Sequence, residues 1–165
     1  MEQWYLATHK SGKKNAFKAQ LFLSQIGVTT FIPQVCISQS RSDRPGKYRK
    51  CIEPLFPGYV FVFFDYEKLQ IAKVENCPGM NGMVRFGGLL KPLNESVVDE
   101  IMNLTSMITE QNAPHDADQS RRVRPGKKTS LTLEQHQKIA DIAKEVDGQH
   151  RNTLFYAFLD AMKKP

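Results

Sequence analysis

Across Gln3 to His9 the residues Trp4 and Leu6 alternate with Tyr5 and Ala7, the period of two that predicts a first strand with side chains on both faces. After Ser11-Gly12 the period lengthens. A helix is expected from about Lys13 to Ile26, with Phe17, Leu21 and Phe22 toward its buried side and Gly27 at the left-handed position that ends helices. Val28 to Ser38 is apolar and β-branched and reads as a strand, in which Pro33 marks an edge or a bulge. Tyr59 to Phe64 is the most continuous apolar run and predicts a strand covered on both faces. A short helix within Tyr66 to Asn76 is ended by Cys77-Pro78-Gly79, and Met83 to Phe86 forms a short strand closed by Gly87-Gly88. Asn94 then caps a helix reaching about Ile108, with Val97, Val98, Ile101, Met102 and Met107 along one stripe. The order β-α-β-β-α-β-α predicts an α+β sandwich.

Residues 109–128 are almost without apolar side chains and read as a linker. Beyond it lie two amphipathic stretches, Leu131 to Val146 and Asn152 to Lys163, separated by Asp147-Gly148. Ile139, Ile142, Ala143 and Val146 recur at helical spacing in the first, and Leu154, Phe155, Phe158, Leu159 and Met162 in the second. A helical hairpin is the direct reading, with too little apolar area to stand alone, so that it must dock or pair. Asp-Gly between apolar runs is equally a β-hairpin signal, and Thr153 to Leu159 would make an acceptable buried strand. The pattern leaves both readings open.

Charge changes the picture more than composition does. The 165 residues are 41% hydrophobic and 24% charged, those of a chain that can bury a core, and the net charge is +6. Residues 1–50 carry nine Lys and Arg against Glu2 and Asp43, whereas residues 51–120 are acidic and residues 121–165 basic again. Such asymmetry predicts a basic face directed at a polyanion, nucleic acid first. One cluster is His9, Lys10, Lys13, Lys14 and Lys18 around the first helix. The other is Arg41, Arg44, Lys47, Arg49 and Lys50 around Pro45-Gly46, the tip of a basic β-hairpin suited to phosphate contacts. Cys36, Cys51 and Cys77 form no CxxC pair, and no histidine lies at ligand spacing from a cysteine or carboxylate, so no metal or cofactor is expected. Nucleophile-elbow and phosphate-loop patterns are absent, so an enzyme is not expected. No apolar run approaches the length of a membrane span, and a cytoplasmic protein is expected.

Glu53-Pro54-Leu55-Phe56-Pro57-Gly58-Tyr59-Val60-Phe61-Val62, preceded by Trp4-Tyr5-Leu6 and followed by Val84-Arg85-Phe86-Gly87, resembles the NusG family of transcription elongation factors. It looks closest to the specialised branch typified by RfaH, including plasmid-borne ActX-type members. The resemblance implies a NusG-like N-terminal domain over residues 1–108, with an antiparallel sheet flanked by helices. A linker over 109–128 and a small C-terminal domain over 129–165 would follow. That last domain would be a helical hairpin packed on the first, with the capacity to refold into a KOW-like β-barrel that reaches ribosomal protein S10.

In such proteins a hydrophobic cavity binds the clamp helices of bacterial RNA polymerase, suppressing pausing and termination. By motif position Leu6, Phe56, Tyr59, Phe61 and Phe86 would form it. Lys10 matches a position that contacts the non-template DNA strand, and Lys13, Lys14, Lys18, Arg41, Arg44, Lys47 and Arg49 would add phosphate contacts. Ala16, Gln20 and Pro78 depart from the basic residues usual there, which implies a different DNA element. Glu53 would pair with Arg151 and fasten the hairpin, whose Leu154, Phe155, Phe158 and Leu159 would cover the cavity, leaving the monomer autoinhibited. The alternative is a basic nucleic-acid-binding module that shares only the fold.

Overall fold

The computed structural model describes residues 1–110 and 130–163, with side chains omitted for 106–110. The expected linker therefore lies outside the described residues, apart from its first two positions, which continue a helix. The side chain of Met107, on the expected stripe, lies outside them too.

The α+β architecture is as expected. Strand β1 (Gln3–His9) and strand β5 (Tyr59–Phe64) form the centre of a four-stranded antiparallel sheet, flanked by β6 (Met80–Met83) beside β1 and β2 (Thr29–Phe31) beside β5. Their register pairs Trp4 with Phe63 and Leu6 with Phe61, and alternation sends the two sets of side chains to opposite faces. Tyr5, Ala7, Val60, Val62 and Phe64 face α1 (Lys13–Gln25) and α2 (Ile71–Glu75), where Ala19, Leu23 and Val74 complete one core. Leu6 and Phe61 face the other way, into a second core built with α3 (Glu95–Glu110), α4 (Leu133–Lys144) and α5 (Gly148–Met162). Both faces of the central strands are thus covered.

Three expectations required correction. The strand expected over Val28 to Ser38 is two strands, β2 and β3 (Gln34–Ser40), in different sheets. Pro33 has no N–H to continue the ladder; its carbonyl accepts from Leu55 N at 2.8 Å, and the chain leaves the main sheet there. β3 pairs with β4 (Tyr48–Pro54) as a separate two-stranded ribbon, whose turn carries the second basic cluster. The strand expected over Met83 to Phe86 ends at Met83. Phe86 and Leu89 instead exchange hydrogen bonds of 2.9 and 3.2 Å across Gly87-Gly88, both at positive φ, as a two-residue hairpin turn requires. On α1, Phe17 is 68% and Leu21 46% exposed, while Ala19 and Leu23 are buried and Phe22 half-buried. The small Ala19 faces the sheet because Gly79 lies against it, where a Cβ would come within 2.6 Å of Asn15 O and 2.9 Å of Ala19 N.

Helix ends follow local rules. Val28 N bonds Leu23 O at 3.0 Å and Gly27 N bonds Ser24 O at 3.1 Å, the double closure that a left-handed glycine permits. Asn94 Oδ1 accepts from Ser96 N at 2.9 Å at the start of α3. A reciprocal Thr132 and Gln135 capping box opens α4, and Asp147 Oδ1 accepts from Gln149 N at 2.9 Å ahead of α5. Asp147-Gly148 therefore starts a helix here rather than turning a β-hairpin. Val146, expected on the apolar stripe, falls in the connection and is exposed.

Gly79→Ala should destabilise the protein by about 2 kcal/mol or more, because φ is positive and backbone atoms occupy the Cβ position; chemical denaturation reads it. Glu75 Oε1 clasps α2 to the segment after β6, accepting from Arg85 Nη1 at 2.9 Å and Met83 N at 3.2 Å. The Arg85 bond, foremost, holds the Glu75 carboxyl below its usual range. A lowered folded pKa contributes stability above the unfolded value that is lost as pH falls through the folded one. Glu75→Gln should accordingly flatten the acid limb of a stability–pH curve and leave less stability at neutral pH.

Candidate functional site

Sequence alternation and chain topology together gather Leu6, Phe56, Phe61 and Phe86 on one face of the main sheet, with Tyr59 half-buried beside them. β1 supplies Leu6 and β5 supplies Tyr59 and Phe61. Phe56 comes from the β4–β5 turn and Phe86 from the glycine hairpin. None of the four is more than 2% exposed, and α5 lies across Phe56, Phe61 and Phe86.

Phe155 stacks on Phe56 with centroids 4.2 Å apart and planes 11° from parallel, and meets Phe61 at 5.9 Å. Tyr156 stacks on Phe86 at 5.2 Å, and its hydroxyl donates to Arg85 O at 3.4 Å. Lys163 Nζ sits 4.7 Å from the Phe86 ring centroid and donates to Pro92 O at 2.6 Å. Burial, then the neighbouring Lys91 charge, pushes the Lys163 ammonium below the ordinary lysine range. Burial, with Tyr156 nearby, pushes the Tyr59 phenol up. Phe158, Leu159, Ile139 and Ile142 complete the cover from α4 and α5. Each of the larger apolar side chains contributes roughly 1.5–3 kcal/mol on burial. Leu154, expected in this contact, instead lines an outer groove between α4 and α5 and is 36% exposed. It stands one position off the buried Arg151, Phe155 and Phe158 row, on the side turned to solvent.

The cover is fastened by Arg151, fully buried. Its Nη2 donates to Glu53 Oε1 at 2.7 Å, its Nε to Leu55 O at 2.7 Å, and its Nη1 to Glu145 O at 2.7 Å. The family resemblance implied the Glu53 pair but not the carbonyl partners, which come from the ends of β4 and α4. Nor did it find Asn152, whose Nδ2 donates to Pro57 O at 2.7 Å. Gly148 was read only as a turn residue. A Cβ there would lie 2.7 Å from Pro57 Cγ, so the glycine lets α5 approach the β4–β5 turn. The repeated placement of polar residues at the start of the apolar stretch was the available signal.

The basic residues lie elsewhere. Lys10, Lys13, Lys14 and Lys18 are exposed around α1, whereas His9, grouped with them from the sequence, is 6% exposed and belongs to the interior. Arg44, Lys47 and Arg49 are exposed on the ribbon. Arg41 is turned back on Asp43 by bonds of 2.7 and 3.1 Å, and this contact holds the Asp43 carboxyl below its usual range. Its charge is largely compensated within the turn.

Residues 2–102 match the family model described as NusG, transcription termination factor nusG. The chain is also similar to the solved structure described as "Domain interaction in Thermotoga maritima NusG", at 25% identity and a TM-score of 0.40, over 65% of this chain and 59% of that one. This chain thus spans somewhat over half the length of that relative.

Glu53→Ser should raise amide exchange across α5 on the order of tenfold while leaving β1 and β5 protected, since one charge-assisted bond to a buried cation is lost. Gly148→Ala should do the same although alanine favours helix. Exchange unchanged by both substitutions would remove Arg151 and the close approach as the fastening.

Proposed function

Because the chain belongs to the NusG family of transcription factors, we propose that it is an RfaH-like elongation and antitermination factor held inactive by its own C-terminal helices. The observation that carries this reading is the aromatic face itself. Phe56, Phe61 and Phe86 lie beneath Phe155 and Tyr156, although that much aromatic area on one sheet face is what a protein partner uses as an anchor. In the active state Leu6, Phe56, Tyr59, Phe61 and Phe86 bind the clamp helices of RNA polymerase, and residues 1–108 act as the polymerase-binding domain. The α4–α5 hairpin is the competing ligand for the same face.

Nucleic-acid contacts fall to the exposed cations. Lys10, Lys13, Lys14 and Lys18 track the non-template strand, with Arg44, Lys47 and Arg49 reaching further phosphates from the ribbon; Arg41 contributes less because of Asp43. Recruitment by a DNA element in selected operons releases the hairpin. Once released, the C-terminal segment has the composition to refold as a β-barrel and engage ribosomal protein S10, and Asp147-Gly148 is the turn that such a barrel would use. The activity is binding, with no chemical step.

Binding of full-length protein to an elongation complex without a special DNA element provides the test. The native chain should bind weakly and Glu53→Ser several-fold more tightly, while adding Tyr59→Ala to Glu53→Ser should abolish the gain. Replacing Lys10, Lys13 and Lys14 together should reduce the salt dependence of recruitment to a DNA-element-bearing complex by about three phosphate contacts. Equal binding by the native and Glu53→Ser chains would overturn the autoinhibition, and no binding by either, with free DNA bound tightly, would favour a nucleic-acid module.

A further inference from the structure

Helix α1 turns a mixed apolar and cationic face to solvent. Phe17 is 68% and Leu21 46% exposed. Four residues apart, they are neighbours on one side of the helix and form a patch, unlike apolar side chains scattered singly over a surface. Lys13 and Lys14 lie one turn before Phe17 and Lys18 directly follows it, all exposed, with Lys10 exposed ahead of the helix. No Asp or Glu occurs from Lys10 to Gln25. The family reading assigns these lysines to phosphates and gives Phe17 and Leu21 no part.

Stability does not account for this face. Two large apolar side chains left in water forgo the gain of burial. The helix has Gly12 at its N-cap, no side-chain cap and no acidic residue in its first turn, where the helix dipole opposes Lys13 and Lys14. Lys14 and Lys18, four residues apart, repel one another as well. A polyanion relieves that repulsion, and one with flat apolar groups between its charges also covers Phe17. A single-stranded nucleic acid has both properties, since its phosphates alternate with bases whose faces are free. A duplex does not, because its base faces are stacked inside and only edges and phosphates are open. A helix lying on an anionic membrane keeps its cations and its apolar residues on opposite faces. In α1 the opposite face is packed on the sheet through Ala19 and Leu23, and the cations share the outer face with Phe17.

We propose that Phe17 is a stacking platform for an unpaired base. Leu21 extends its apolar floor, and Lys10, Lys13, Lys14 and Lys18 hold the flanking phosphates. Such a face selects single strands over duplex, and it tolerates sequence because every base has a π-face. The inference rests on the assignment of the α1 lysines to nucleic acid and does not require the polymerase reading.

The test measures binding of the full-length chain to a fluorescent single-stranded oligonucleotide of mixed sequence over a range of salt concentrations. Phe17→Ala should weaken binding by about tenfold, the loss of one stacked base, with the salt slope and the denaturation midpoint unchanged. Replacing Lys10, Lys13 and Lys14 should instead reduce the slope. Phe17→Trp should keep the affinity, and the fluorescence it adds should be quenched by the oligonucleotide. An abasic strand of the same length should bind the native chain no more tightly than the oligonucleotide binds Phe17→Ala, and duplex should not distinguish the two chains. Equal affinity of the native and Phe17→Ala chains for the oligonucleotide, with the slope still reduced by the lysine replacements, would overturn the stacking and leave a phosphate surface. No binding of the oligonucleotide, or no effect of either change, would overturn the stacking and the nucleic-acid assignment together. Displacement of the oligonucleotide by poly-glutamate or by phosphatidylserine vesicles at equal charge concentration, weakened by Phe17→Ala, would overturn the proposal and give the face to an acidic protein or a membrane.

Discussion

Arg151 is a permanent cation with no exposure to solvent, and a charge so placed survives only if its donors are met. Its guanidinium reaches Glu53, the carbonyls of Pro54 and Leu55 at the end of β4, and the carbonyls of Glu145 and Val146 before α5. These partners come together in only one arrangement, with the N-terminal turn of α5 seated on the β4–β5 turn. Apolar contacts of Phe155, Phe158 and Leu159 supply much of the attraction between the helices and the sheet. The polar network decides where along the sheet that attraction is satisfied. A buried ion pair is weak as a source of net stability and strong as a determinant of register.

Seating α5 in that register divides the surface into two kinds. The aromatic sheet face is removed from water and from any partner while the helices are docked. The lysines around α1 and the cations on the β3–β4 ribbon stay exposed in the same state. The attraction of these cations for a polyanion therefore does not depend on the aromatic face. The bond from Asn152 to Pro57 and the close approach of Gly148 belong to the same seam.

Much of the architecture was legible along the chain because it depends on near neighbours. Alternation across Gln3–His9, the glycine stop at Gly27, the Asn94 cap and the apolar run of Tyr59–Phe64 are local signals, and the structure follows them. The misread elements share a cause. Phe17 and Leu21 are large and apolar at helical spacing, yet the buried side of α1 is chosen by the close approach of Gly79 to Ala19, a contact between segments sixty residues apart in sequence. Leu154 fits the apolar stripe of α5 equally well, and only the seating of Arg151 decides that Phe155 and Phe158 turn inward and Leu154 does not. Pro33 carried a warning of an edge, but which sheet each half would join depended on partners elsewhere.

By itself the sequence determined the α+β class, the basic and acidic segments and the apolar run around Phe56 to Phe61, whereas the Glu53 and Arg151 pair was reached only through the family resemblance. It left Asp147-Gly148 open between a helix start and a β-turn, because the local preferences of the two are close and neither involves a distant residue. Tertiary structure decided that choice. As a helix the segment presents Arg151, Asn152 and Phe155 on one side, where Glu53, Pro57 and Phe56 meet them. Those contacts add free energy to one conformation only, and a segment with balanced local preferences adopts whichever form finds partners.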